Sequence, residues 1–96
     1  MRDLRKLEDL SGVGKATLAD LQLLGIRSID DLAEENGAEL YERLCRLTGA
    51  RHDICCLDVF HCAVEQARDP HLSREKCNWW YWSRLRKSRE KKGKDE

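Results

Sequence analysis

Residues 7–32 read LEDLSGVGKATLADLQLLGIRSIDDL. Two glycines fall within three residues at Gly12-Val13-Gly14, so a continuous helix is broken there. Before the break, Leu4 and Leu7 predict a short charged helix. After it, Lys15 opens a second helix with Leu18, Leu21 and Leu24 on one face. Gly25 stands where a C-terminal glycine cap belongs, with Ile26 as the apolar residue behind it. Ser28 and Asp31 form a capping box in which Asp replaces the usual Glu, ahead of a short helix with Ile29, Leu32 and Ala33. Two short helices thus hinge on GVG, with Val13 pointing inward and both glycines in conformations costly for other residues. The amides of Gly12 to Lys15 gather at a helix N-terminus as a nest suited to a phosphate oxygen, with Lys15 as a mobile cation beside it. The alternative is a tight turn that only closes a helical bundle.

The same periodicity continues outward. Asn36-Gly37 ends the third helix, and a fourth carries Leu40, Tyr41, Leu44 and Leu47 before stopping near Gly49. A fifth, from about His52 to Arg68, gathers Cys56, Val59, Phe60, Ala63, Val64 and Ala67 into one broad arc extended by Leu57, with Asp58, His61 and Glu65 on the opposite side. It is the expected central helix, and Asp69-Pro70 ends it. Ser73 is expected to cap a last helix through Trp79, Trp80, Tyr81 and Trp82. The remainder, SRLRKSREKKGKDE, has no apolar residue beyond Leu85 and reads as a frayed helix or disordered arm. The organisation expected is one domain over residues 1–82 and a basic tail over 83–96.

With 96 residues, 38% of them charged, the chain has room for one small core and no large substrate cleft. Stretches rich in Leu, Glu, Lys and Arg with few Val, Ile or Thr predict an all-α bundle of five to six short helices. No apolar run reaches the length of a membrane span, and the charged start MRDLRKLEDL is no secretory signal. Five cysteines without such a signal read as reduced thiols, which points to the cytoplasm. The net charge of +0 conceals an asymmetry: residues 83–96 hold seven Lys and Arg against three acids, and residues 1–82 hold eleven against fifteen. Any attraction to a polyanion must therefore be local.

Gly14-Lys15 is not a nucleotide-binding P-loop. That pattern needs glycine at position 9 and Ser or Thr at 16, where the chain has Asp9 and Ala16. The segment instead resembles the helix-hairpin-helix motif, which grips DNA backbone phosphates without reading sequence. Through LLGIRSIDDLAEENGAELYERLCRLTG, DICCLDVFHCAVEQA and WWYW, residues 4 to about 82 resemble the Pathogenicity-locus family of small helix-hairpin-helix proteins. They are more distantly similar to the C-terminal domain of TfoX-type competence regulators. The resemblance implies a SAM-like helix-hairpin-helix unit and a role connected with DNA repair or competence. Many DNA-binding hairpins carry Lys or Arg two residues after the second glycine, where this chain has Ala16.

Cys45, Cys55 and Cys62 are the first candidates for a zinc site, completed by His52, His71 or Cys77. The chain has no Cys-x2-Cys knuckle, and free cysteine packs as a small hydrophobe, so the expectation is no metal and no cofactor. Cys55 with His52 could pair as nucleophile and base, but no oxyanion hole or third orienting group accompanies them, and no enzyme is expected. Four consecutive aromatics at 79–82 cannot all face one core, so at least one is expected to be partly exposed. The block is read as a hydrophobic lock, with a base-stacking or protein-docking surface as the alternative. The function expected is a non-enzymatic, sequence-tolerant DNA-binding module. Gly12, Val13, Gly14 and Lys15 meet a phosphate, and Arg84, Arg86, Lys87 and Arg89 add attraction through counterion release. The alternative is a protein-interaction module docking through the acidic helices (Asp30, Asp31, Glu34, Glu35, Glu39, Glu42) or the Trp block. Of the tail, only Leu85 is expected to pack.

Overall fold

The helix stops written into the sequence are made by backbone that only glycine enters easily. In the computed structural model, which describes residues 5–94, Gly25 has φ +84°. Its N–H donates to Gln22 O at 3.0 Å and that of Ile26 to Leu21 O at 2.9 Å, the paired bonds of a Schellman stop, and Ile26 is buried behind them. The helix so ended is α1 (Lys15–Leu23). It is followed by α2 (Ile29–Ala33), α3 (Gly37–Thr48), α4 (Cys55–Arg68) and α5 (Trp79–Lys94), with 3-10 turns at Leu7–Asp9 and Glu75–Cys77. No strand occurs among the described residues, so the fold is all-α, and no helix is long and apolar enough to cross a membrane.

The helix starts are polar. Ser28 Oγ accepts from Asp31 N–H at 3.1 Å, while the Asp31 carboxylate reaches Arg27 N–H at 3.1 Å rather than that of Ser28. Asn36, expected to end α2, instead begins α3: its Oδ1 accepts from Ala38 and Glu39 N–H at 2.9 and 3.2 Å. Asp53 Oδ1 accepts from Cys55 N–H at 3.2 Å, which starts α4 three residues later than His52. Among the described residues before the first glycine, the helical element is the 3-10 turn, where the Asp9 carboxylate accepts from Lys6 N–H at 2.8 Å. Leu4 lies outside the described residues.

Helix α4 is central, as its arc requires. Phe60, Ala63, Val64 and Ala67 meet Leu21, Ile29, Leu32, Leu40, Tyr41 and Leu44, with Leu7, Leu10 and Val13 completing the core and Cys56 and Leu57 at its margin. Leu47 is 60% exposed. At 100° per residue it sits about 90° from the centre of the buried arc running from Leu40 to Cys45.

The side of α4 that the sequence left opposite the core is covered as well. Asp58 is 2% exposed, and its carboxylate accepts from Arg86 through Nε–Oδ1 and Nη2–Oδ2 contacts of 3.1 Å each. Trp82 meets His61 and Arg86 meets Asp58, so α5 runs antiparallel along α4. The tail expectation changes accordingly. No break falls between Trp82 and Ser83, Ser83 is buried, and Arg86 joins Leu85 in packing. Nor does Ser73 cap α5. Its carbonyl accepts from Cys77 N–H within the 3-10 turn, and extended backbone at Asn78 (φ −101°, ψ 127°) delays the helix to Trp79.

Candidate functional site

The glycine turn is fixed from beneath. Val13 and Leu10 are buried. Gln66 of α4, 5% exposed, accepts from Ser11 N–H through Oε1 and donates to Ser11 O through Nε2, both at 2.9 Å. Arg5 adds bonds to Gln66 O and Ala67 O at 2.9 and 3.2 Å. Gly12, at φ +85°, is exposed over this clamp. Gly14 departs from expectation: φ −90°, ψ −170° is extended backbone that other residues adopt, and a Cβ there meets nothing within 4 Å. Gly14 is the N-cap of α1, and among the described residues no side chain caps that first turn. The starts of α2 and α3 are capped by Ser28 and Asn36, and at α4, whose N-cap Ile54 has no side-chain cap bond, the preceding Asp53 accepts from Cys55 N–H. Lys15 is exposed beside the open end.

A second surface lies on α5. Trp80, Arg84 and Lys87 share one helical face, and all three are exposed. The Arg84 guanidinium carbon lies 4.8 Å from the Trp80 ring centroid. The aromatic block therefore divides. Trp82 stacks on His61 at 4.4 Å and donates Nε1–H to Lys76 O at 2.8 Å, with Tyr81 edge-on to it, while Trp79 and Trp80 retain 38% and 45% exposure. Arg89 is exposed at the rim of a groove of about 300 Å³, whose walls include Asn36, His61, Arg68, Trp82 and Arg86. Gln66 Nε2 lies 3.4 Å from Cys62 Sγ, which lies 3.6 Å from Lys76 O. The glycine turn and the second 3-10 turn, which leads into α5, thus both pack on the C-terminal half of α4. The later cations of α5 run toward the other end of α4. The exposed acids Asp30, Asp31, Glu34, Glu39 and Glu42 belong to α2, α3 and their junction.

The thiols are dispersed. Cys45 Sγ accepts from His52 N–H at 3.5 Å, Cys55 adjoins Asp53, and Cys62 lies beneath the second 3-10 turn. No group of three or more His, Cys, Asp or Glu is placed to hold a metal among the described residues. Burial pushes the Cys62 thiol up to about 11 and also raises those of Cys55 and Cys56. His52 Nε2 lies 2.8 Å from Thr48 Oγ1, so that ring is engaged within its own loop.

Sequence reasoning passed over Gln66, Asp58 and Gly37. Gln66 stands in a run of core residues, CAVEQA, and a glutamine there needs polar partners. Gly37 is the point where α3 crosses the backbone of α4: a Cβ would fall 2.7 Å from His61 Cα.

The family model described as pathogenicity locus (Cdd1) matches residues 1–88, which takes in the glycine turn, Asp58, Gln66 and Arg86. The mitomycin resistance protein McrB of Streptomyces lavendulae is 33% identical over 81 residues, 84% of this chain and 73% of that protein. No solved structure matches the chain. A match running from the glycine turn through the docked part of α5 covers the elements that define the fold, and the chain belongs to the pathogenicity locus family.

Proposed function

We propose that this protein is a non-enzymatic DNA-binding module that holds backbone phosphates without reading base sequence. One observation carries the reading: among the described residues no side chain caps the first turn of α1, while Ser28 and Asn36 cap the next two helices. Free amides at a helix N-terminus, with Lys15 beside them and glycines allowing close approach, suit a phosphate oxygen. Arg84, Lys87 and Arg89, all exposed on α5, add cations that attract a polyanion. Arg86 has a different role, because its guanidinium neutralises Asp58. The exposed Trp79 and Trp80 favour a second reading, a docking site for a protein partner.

The test is a titration of the full chain against labelled duplexes of unrelated sequence between about 50 and 200 mM salt. Log affinity is expected to fall linearly with log salt and to vary little with sequence. Lys15→Ala is expected to weaken binding and to reduce the slope by about 0.9. Equal binding by parent and Lys15→Ala at every salt concentration overturns the reading, as does absence of binding at the lowest salt.

A further inference from the structure

We infer that the outward face of α5 near its start is a stacking platform for unpaired DNA bases, with Trp80 as the stacking ring and Arg84 and Lys87 as backbone cations. The inference rests on the DNA-binding reading and specifies the form of DNA that the site takes.

The aromatic block shows what packing alone requires of it. Trp82 packs on His61 of α4 and donates its indole N–H to the adjoining turn, with Tyr81 edge-on to its ring. Trp80 takes no part in that lock and stays 45% exposed, with Trp79 beside it at 38%. Trp80 therefore presents aromatic surface to solvent beside the Arg84 guanidinium that lies over its ring.

Its surroundings select the occupant. At 100° per residue, Trp80, Arg84 and Lys87 fall within an arc of about 60°. From Trp79 to Arg89, α5 carries no acidic residue. Arg84 stacks on Trp80 and has no carboxylate partner among the described residues, so its N–H groups are available to a phosphate. Trp80 and Lys87 are about 10 Å apart along the helix axis, the reach of a few nucleotides of single strand. An acidic peptide would satisfy the cations but leave the ring faces unused. An apolar peptide would leave Arg84 and Lys87 unpaired.

The form of the DNA follows from geometry. In a duplex the base faces are already stacked, and presenting one to an indole requires unstacking it. Unpaired bases offer their faces without that cost, and stacking one base on an aromatic ring changes affinity by about 5- to 150-fold. The glycine turn and the 3-10 turn that leads into α5 both pack on the C-terminal half of α4.

Two single strands of equal length and charge isolate the stacking contribution: an oligothymidine and its abasic counterpart. The full chain is expected to bind the oligothymidine about 5- to 150-fold more tightly, with quenching of tryptophan fluorescence. Trp80→Ala is expected to abolish the difference between the two strands, and Trp80→Phe to retain part of it. Equal affinity of the parent for the two strands overturns the stacking platform. If duplex binding that depends on Lys15 persists in that case, the DNA-binding reading stands alone. If neither single strand nor duplex binds, both readings fail. Tighter binding of an oligouridine RNA than of the oligothymidine overturns the assignment to DNA.

Discussion

Arg86→Ala takes the cation away from a carboxylate that α4 holds at 2% exposure. Asp58 has its bonds to Arg86 in place of water, and alanine offers neither. Breaking a buried ion pair from one side costs about 3–5 kcal/mol. The Arg86 side chain keeps 19% of its exposure, so water can partly reach the site, and the lower end, about 3 kcal/mol, applies. A domain of this size has a total stability of only about 5–15 kcal/mol. With each kcal/mol moving the melting temperature by about 4–8 °C, Arg86→Ala is expected to melt about 12–24 °C below the parent by far-ultraviolet circular dichroism. The double variant Asp58→Leu, Arg86→Met replaces both charges by apolar groups and is expected to recover much of the loss. Truncation after Ser83 removes the same cation and is expected to be at least as damaging. The sequence alone, which left only Leu85 of the tail to pack, implied no loss. A melting temperature for Arg86→Ala within about 4 °C of the parent would refute the reasoning, because the pair would then contribute less than about 1 kcal/mol.

Other substitutions test the remaining joints. Gly12→Ala forces a Cβ into left-handed backbone and is expected to cost about 1–2 kcal/mol, whereas Gly14→Ala, in extended backbone and open space, is expected to cost far less. Urea denaturation of the two variants decides it, and equal losses would contradict the conformational difference. Gly37→Ala drives a Cβ to 2.7 Å from His61 Cα and is expected to destabilise by about 1–3 kcal/mol, measured by thermal melting; an unchanged melting temperature would mean that α3 slides freely on α4. Cys62, with its thiol pushed up to about 11, is expected to be among the slowest cysteines to react with an aromatic disulfide reagent near neutral pH. Its folded pKa lies above the unfolded value, so its contribution to stability is complete below about pH 8.5 and is lost as pH rises toward the folded value. Mass mapping of partially labelled protein that finds Cys62 modified first would contradict its placement.

What could be read from the sequence was local. The stop at Gly25 with Ile26, the break at Gly49, the inward Val13 and the end of α4 at Pro70 each depend on residues within one turn, and the structure places them where the pattern does. The misplacements have longer range. Asp58 shares its helix side with His61 and Glu65, so it carries the signature of a solvated face. Its partner lies 28 residues away in a segment that reads as a charged arm. Gln66 finds Ser11 across 55 residues, and no periodicity encodes that pairing. Leu4 and Leu7 have helical spacing, yet the described residues before the glycine turn are tied to the end of α4 by Arg5 and Gln66, and there Leu7 lies in a 3-10 turn. For the candidate interface, the glycine turn and the cation-aromatic combination were visible in sequence. The division of α5 into a docked side with Arg86 and an outward side with Trp80, Arg84 and Lys87 needed its packing partner.

The Gln66 clamp also bears on when the glycine turn exists during folding and breathing. Ser11 is held through both its N–H and its C=O by one side chain on the last turn of α4, and Arg5 binds the carbonyls of that same turn. The turn is therefore ordered only while the end of α4 is wound, and the two open as one cooperative unit. Slow hydrogen exchange at Ser11 would report on a helix more than fifty residues away in the chain. A ligand that fastens the glycine turn would in the same way slow exchange in the last turn of α4, without touching it.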